Sequence, residues 1–133
     1  MSKVLGLIPA KANSTRLKNK NMRVLGGKTL IERAICGANK SGVIDHLVLS
    51  TESKEIFDYA KGLDVHVPFI RPDYLSYDPS GVVDVALHAL EELEKKGNIF
   101  EHLIILLPSS PFRTAEDIRN AYKKFVTHKM KFL

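Results

Sequence analysis

The chain has 133 residues, 44% of them hydrophobic and 26% charged, with one Cys, no Trp and a net charge of +5. A domain of this length buries roughly two-thirds of the surface its unfolded chain exposes, which excludes disordered, collagen-like and disulfide-scaffold classes. No apolar run approaches the ~20 residues that span a bilayer, and Met1-Ser2-Lys3 leads into an apolar stretch broken by Pro9, unlike a signal peptide. The expectation is a soluble cytoplasmic protein with no membrane partner.

Lys3 to Ile8 is a short apolar run closed by Pro9, suited to a strand buried on both faces. A polar loop follows. Thr29-Leu30-Ile31-Glu32 has capping-box spacing, and Leu30, Ile31, Ala34, Ile35 and Ala38 share one helical face up to Ser41-Gly42. Cys36 falls inside that pattern and reads as buried filler. His46 to Leu49 is a second strand. Ser50 to Ser53 offers several caps for a helix carrying Ile56, Phe57 and Ala60, stopped by Gly62. Val65-His66-Val67 is expected as a third, short strand. After the loop from Pro68 to Gly81, the residues Val82, Val83, Ala86, Leu90 and Leu93 keep helical spacing up to Gly97. Leu103 to Leu107 is the strongest strand signal, and Thr114 to Asp117 opens a last helix with Ile118, Ala121, Tyr122 and Phe125 inward.

Strands alternating with helices specify βαβ units wound into a mostly parallel sheet, so the fold class is α/β, Rossmann-like, with helices flanking the sheet. Such sheets bind ligands beyond the carboxyl ends of their strands. The loops after Ile8, Leu49 and Leu107 should therefore line one crevice. No repeat, low-complexity tract or linker divides the chain.

Charge is distributed unevenly. Residues 1–41 hold nine Lys/Arg against Glu32 alone, net +8, and residues 42–112 are net −7. The cluster Lys11, Arg16, Lys18, Lys20 and Arg23 contains no aromatic residue, which favours a small polyanion such as a nucleoside triphosphate over a nucleic-acid track. The loop lacks the glycines of a Walker or dinucleotide turn. Its small residues Ala10, Ala12 and Ser14 nevertheless let backbone amides approach an anion, while Lys11, Arg16 and Lys20 supply charge to phosphate oxygens.

Four ordered segments carry a resemblance. They are Ile8-Pro9-Ala10-Lys11 with Ser14, Arg16-Leu17, Lys20-Asn21 and Gly27-Lys28; Val48 to Glu52 with Glu55-Ile56; Pro68 to Pro72 with Leu75 and Asp78; and Leu106 to Arg113. Together they resemble the acylneuraminate cytidylyltransferases, the CMP-sialic acid synthetase family. The resemblance implies a nucleotidyltransferase that joins CTP to the anomeric hydroxyl of a nine-carbon 2-keto sugar acid, releasing pyrophosphate, in the activation of nonulosonates for cell-surface polysaccharides. It implies a nucleotide-binding set of Ala10, Lys11, Asn13, Ser14, Arg16, Lys20, Asn21, Arg71 and Ser80. Lys20 would be the main electrostatic catalyst, with Lys11 on the β,γ-phosphates. Ser109, Ser110 and Arg113 would face the sugar.

Two alternative readings stay open: Arg71 as a surface arginine before a proline, and Ser109-Ser110 as a helix-leading turn. The family usually has Arg where Lys11 stands, which keeps charge and loses the bidentate fork, and Gln at the sugar end where Leu107 stands. Family members are longer, so residues 1–133 are expected to form the nucleotide-binding portion only. The acids that bind Mg²⁺ and a dimerisation segment would lie in the remainder. Mg²⁺ is thus an implied cofactor with no ligand assigned here, since Asp78 and Asp84 read as loop, cap or solvated helix groups. A homodimer is the assembly the family suggests, and no nucleic-acid partner is expected. The alternatives to turnover on a sialic-acid-like substrate are a catalytically incomplete CTP-binding fragment and a cytidylyltransferase for a different sugar acid.

Overall fold

The computed structural model describes residues 3–10, 24–25, 28–72, 81–108 and 115–127. Along them run β1 (Val4–Pro9), β2 (Val24–Leu25), β3 (Lys28–Thr29), α1 (Leu30–Ser41), β4 (His46–Ser50), α2 (Lys54–Ala60), α3 (Val82–Lys95), β5 (His102–Ile105) and α4 (Ala115–Thr127). β1 is the centre of a three-stranded sheet in the order β4-β1-β5, parallel on both sides, with Leu7 level with Val48 and Ile105. This is the α/β fold expected from the βαβ pattern. The β2 and β3 pair is antiparallel and only two residues deep, too short to register as alternation in a stretch that reads as polar loop.

Period-two alternation sorts the strand side chains into two cores. Val4, Ile8 and Ala10 join Leu47, Leu49, Ile104 and Leu106 on one face, packed by Ile31, Ile35 and Ala38 of α1, Ile56 and Ala60 of α2, and Ile118 of α4. Leu5, Leu7 and Val48 point the other way, onto Ala86, Ala89 and Leu93 of α3. Gly6 belongs to the first face, where a Cβ would stand 2.9 Å from the Ile44 side chain. The chain approaches too closely there for any larger residue without movement of Ile44.

α1 begins as its sequence dictates. Thr29 Oγ1 accepts the Glu32 N–H (3.1 Å) while Glu32 Oε1 accepts the Thr29 N–H (3.3 Å), closing the capping box. It ends at Gly42 in the left-handed region, φ 74°. Arg119 of α4 donates to the Ser41 and Lys40 carbonyls at 3.0 and 3.3 Å, so a cation from the neighbouring helix satisfies two of the last acceptors of α1.

Several expectations are corrected. The third strand at Val65–Val67 is a single parallel bridge between His66 and Val48, with His66 N–H donating to Leu47 and Leu49 N–H to His66, each at 2.9 Å. Pro68 stands where the next ladder N–H is needed and has none to give. β5 ends at Ile105, not Leu107, although the Leu106 N–H still donates to the Leu7 carbonyl at 2.8 Å. The buried face of α3 is Val85, Ala86, Ala89 and Leu93, while Val83 is 65% exposed and Leu90 half-buried. Both sets have helical spacing, so periodicity alone could not choose the phase. In α4, Ile118 and Phe125 are buried and Ala121 is exposed, and Cys36 is partly exposed instead of buried.

Candidate functional site

The topology fixes where a ligand can sit. α1 carries the chain from β1 to β4 on one side, and β5 lies on the other side of β1. The strand order therefore reverses at the carboxyl end of β1, which opens the crevice characteristic of doubly wound sheets. α1 runs back from that end, so its N-terminal turn, with Thr29 and Glu32, borders the same crevice.

Of the residues proposed from sequence, Ala10 and Arg71 lie within the described residues. Lys11, Asn13, Ser14, Arg16, Lys20, Asn21, Ser80, Ser109, Ser110 and Arg113 lie outside them. Ala10 is fully buried at the root of the basic segment, and its N–H donates to the Ser50 carbonyl at 2.9 Å. Arg71 reaches the same carbonyl, with Nη1 at 3.3 Å from the Ser50 O and 3.4 Å from the Ser50 Oγ. One peptide group at the end of β4 thus ties the start of the loop to the arginine.

Arg71 is not a surface residue. It is 1% exposed, its N–H donates to the Thr51 carbonyl at 2.8 Å, and Nη2 makes a 2.9 Å ion pair with the Glu52 carboxylate. Burial lowers the Arg71 pKa from its ordinary value, and the adjacent Glu52 charge and hydrogen bond push it back up. An arginine stays protonated through such opposition. The arrangement holds a guanidinium in a fixed orientation at the end of β4, with its charge partly balanced by Glu52.

Glu52 falls in one of the four matching segments but was given no role from sequence, where Ser50 to Ser53 reads as a run of helix caps. Only Ser53 serves as the N-cap of α2, its Oγ accepting the Ile56 N–H at 3.2 Å. Thr51 Oγ1 accepts the Ser53 N–H at 3.1 Å and is fully buried. Tyr59 is the second residue missed. Its hydroxyl donates to Glu32 Oε1 at 2.7 Å and shares a 2.9 Å hydrogen bond with Thr29 Oγ1, locking α2 against the capping box of α1. Burial raises the Tyr59 pKa above 10; the Thr29 hydrogen bond opposes that shift and Glu32 adds to it, so the phenol stays neutral.

A family model for cytidylyltransferases matches residues 5–130. The chain belongs to the cytidylyltransferase family. It is 39% identical over 119 residues to a CMP-N,N'-diacetyllegionaminic acid synthase from Legionella pneumophila, a match covering 90% of this chain and 51% of that protein. It is 34% identical over 131 residues to a pseudaminic acid cytidylyltransferase of Campylobacter jejuni, covering 98% of this chain and 56% of that protein. A solved CMP:2-keto-3-deoxy-manno-octonic acid synthetase complexed with CTP superposes with a TM-score of 0.81 at 16% identity, over 97% of this chain and 49% of its own. That likeness establishes the nucleotidyltransferase fold. The chain spans about half the length of these family relatives.

Among the described residues no group of three or more His, Cys, Asp or Glu side chains could hold a metal ion. Glu52 is engaged by Arg71, and Asp84 is exposed on the first turn of α3. No helix among the described residues is long and apolar enough to cross a membrane.

Proposed function

We propose that this chain binds CTP in the crevice at the carboxyl ends of β1 and β4 and serves the transfer of CMP to a sialic-acid-like nonulosonate. The anomeric hydroxyl oxygen attacks the α-phosphorus, the bond to the β-phosphate bridging oxygen breaks, and pyrophosphate leaves as the hydroxyl proton is lost. The observation that carries this reading is the shared Ser50 carbonyl. It roots the basic segment and a buried, oriented Arg71 at one point of the crevice where this fold places ligands.

In this reading Lys20 stabilises charge on the α-phosphate region, Lys11 meets the β,γ-phosphates, and neither has to titrate. Ala10, Asn13, Ser14, Arg16, Asn21, Arg71 and Ser80 complete the nucleotide set. Ser109, Ser110 and Arg113 take the sugar acid. Mg²⁺, when bound, would neutralise the departing pyrophosphate. The relatives' names favour nonulosonates such as legionaminic and pseudaminic acids as the acceptor class.

The test is pyrophosphate release from CTP and Mg²⁺ with a panel of sialic, legionaminic and pseudaminic acids. Lys20→Ala should remove most turnover, at least about a hundredfold, without changing the melting temperature, because the residue is chosen for charge and not for packing. Equal losses in Lys18→Ala and Lys20→Ala would replace a specific role by diffuse electrostatics.

The span of about half the relatives' length favours a second reading, a CTP-binding module without turnover of its own. It predicts thermal stabilisation by CTP, about 2.7 kcal/mol at one hundred times the dissociation constant, with no pyrophosphate formed. Absence of any CTP-dependent stabilisation would sink both readings.

A further inference from the structure

The outer edge of β4 is covered by residues 63–71, a strap that lies outside the helices and strands. Two points fasten it. His66 exchanges two 2.9 Å backbone hydrogen bonds with β4, to Leu47 and from Leu49, and the Arg71 N–H donates to the Thr51 carbonyl at 2.8 Å. Pro68 breaks the ladder between the two. Val65 and Val67 pack against one core and Phe69 against the other. His66 is thus the lower fastening of a strap whose upper end carries the buried Arg71.

The side chain at that lower fastening meets another histidine. The His46 ring of β4 lies face to face with the His66 ring, centroids 4.4 Å apart and planes 4° from parallel, and leans on Phe100 at 5.6 Å. His66 is exposed and His46 half-buried, so the strap's ring is part of the cover over the strand's. Cations stand around the pair. Lys3, just before β1, places its Nζ 5.3 Å from the centre of the Phe100 ring, and Lys96 at the end of α3 donates to the Pro68 carbonyl at 2.9 Å. The acids next in the chain are turned elsewhere. Asp45 Oδ2 accepts the Val4 N–H at 2.7 Å, and the Asn39 amide holds Asp64 through its carbonyl at 2.9 Å and its carboxylate at 3.3 Å. Glu101, beside Phe100, is exposed. Among the described residues no carboxylate forms an ion pair with either stacked ring.

A stack this close admits one proton and resists a second. Two imidazolium rings face to face at 4.4 Å leave no room for water or a counter-ion between them, and Lys3 adds a third positive charge. Burial lowers the His46 pKa, and His66 and Lys3 act in the same sense. Moving the strap away from β4 parts the rings and returns both to water, where each takes up its proton in the ordinary histidine range. Acid therefore favours the released arrangement. We propose that the His46–His66 pair is a proton-operated latch, which on double protonation opens the strap from the outer edge of β4 and loosens the backbone that carries Arg71. The apolar contacts of Val65, Val67 and Phe69 keep the strap closed while the pair is neutral. The inference rests on the geometry of the strap, not on the proposed catalysis.

Native-state amide exchange at low urea tests the latch without any assay of activity. The reporters are the N–H groups of His66, Leu49 and Arg71, which bond across the boundary of strap and strand; the Leu106 N–H, bonded to Leu7 within the sheet, is the reference. Between about pH 7.5 and 5.5 the protection factors of the reporters should fall about tenfold, the factor by which one refused proton favours release a pH unit below the ordinary histidine value. At about pH 5.5 their exchange should be nearly independent of urea, the mark of a local opening, while Leu106 exchange rises with urea as in global unfolding. His46→Phe keeps an aromatic ring in the stack and removes one of the two charges, so the fall should shrink below about threefold. His66→Phe should do the same from the strap side. The proposal is overturned if the reporters fall less than about threefold in the parent, if they share the urea dependence of Leu106, or if the full fall persists in either folded variant.

Discussion

Arg71 shows how a single residue is held by opposed terms. Its guanidinium is removed from water, which is unfavourable by several kcal/mol in isolation, and the 2.9 Å contact with Glu52 offsets that cost. Breaking such a pair on one side is worse than replacing both sides. Glu52→Ala should destabilise the fold by about 3 kcal/mol, whereas Arg71→Met with Glu52→Met should cost clearly less than the sum of the two single changes. Urea denaturation of the three variants checks this, and additive losses would show the two groups to be independent. At the other end of the strands, His46 stacks on His66 with centroids 4.4 Å apart and planes 4° off parallel. Burial lowers its pKa below 6.5, and the neighbouring His66 and Lys3 add to the shift. The unfolded chain therefore binds the proton more readily, so stability is full above about pH 7.5 and declines as pH falls through 6.5 toward the folded value. Melting temperatures between about pH 7.5 and 5.5 should show this decline, with a shallower slope in His46→Gln.

At the scale of elements, α1 is written almost completely in local sequence. Thr29, Glu32 and Gly42 sit at its two ends, and the structure uses all three as the spacing predicts. Thr29→Ala should cost about 1 kcal/mol by removing the cap, and Gly42→Ala about 1 kcal/mol by placing a Cβ at φ 74°. A melting temperature for Gly42→Ala equal to that of the parent would mean that the turn relaxes without strain. What was not legible is equally specific. The phase of α3 depends on which stripe meets Leu5, Leu7 and Val48, and Val82-Val83-Ala86 and Val85-Ala86-Ala89 are equally good helical stripes until the sheet is in place. Glu52 was invisible as a partner because Arg71 lies 19 residues further on and meets it only through folding. Tyr59 likewise acquires meaning only when α2 packs beside Thr29.

For the whole molecule, the parallel sheet and its crevice were readable because apolar runs alternating with capped helices permit little else. The site was readable only in part. Motif segments pointed to Ala10 and Arg71, and the fold brings those two to one carbonyl, while the charge-bearing residues of the basic segment are known from sequence alone. The charge map still makes a testable statement. With net +8 in residues 1–41 against a net −7 middle, CTP binding should depend strongly on ionic strength. Raising salt from about 50 to 500 mM should weaken it by roughly tenfold, and a salt-independent affinity would place the triphosphate away from the basic segment.

The Ser50 carbonyl has one more consequence. It fastens the basic segment at Ala10, and the Thr29–Glu32–Tyr59 hydrogen bonds fasten the chain again just past that segment's other end. The ends of the basic segment are therefore held by four different elements, β1 against β4 on one side and α1 against α2 on the other. Loosening α2 alone would release one of those two fastenings while leaving the parallel sheet paired.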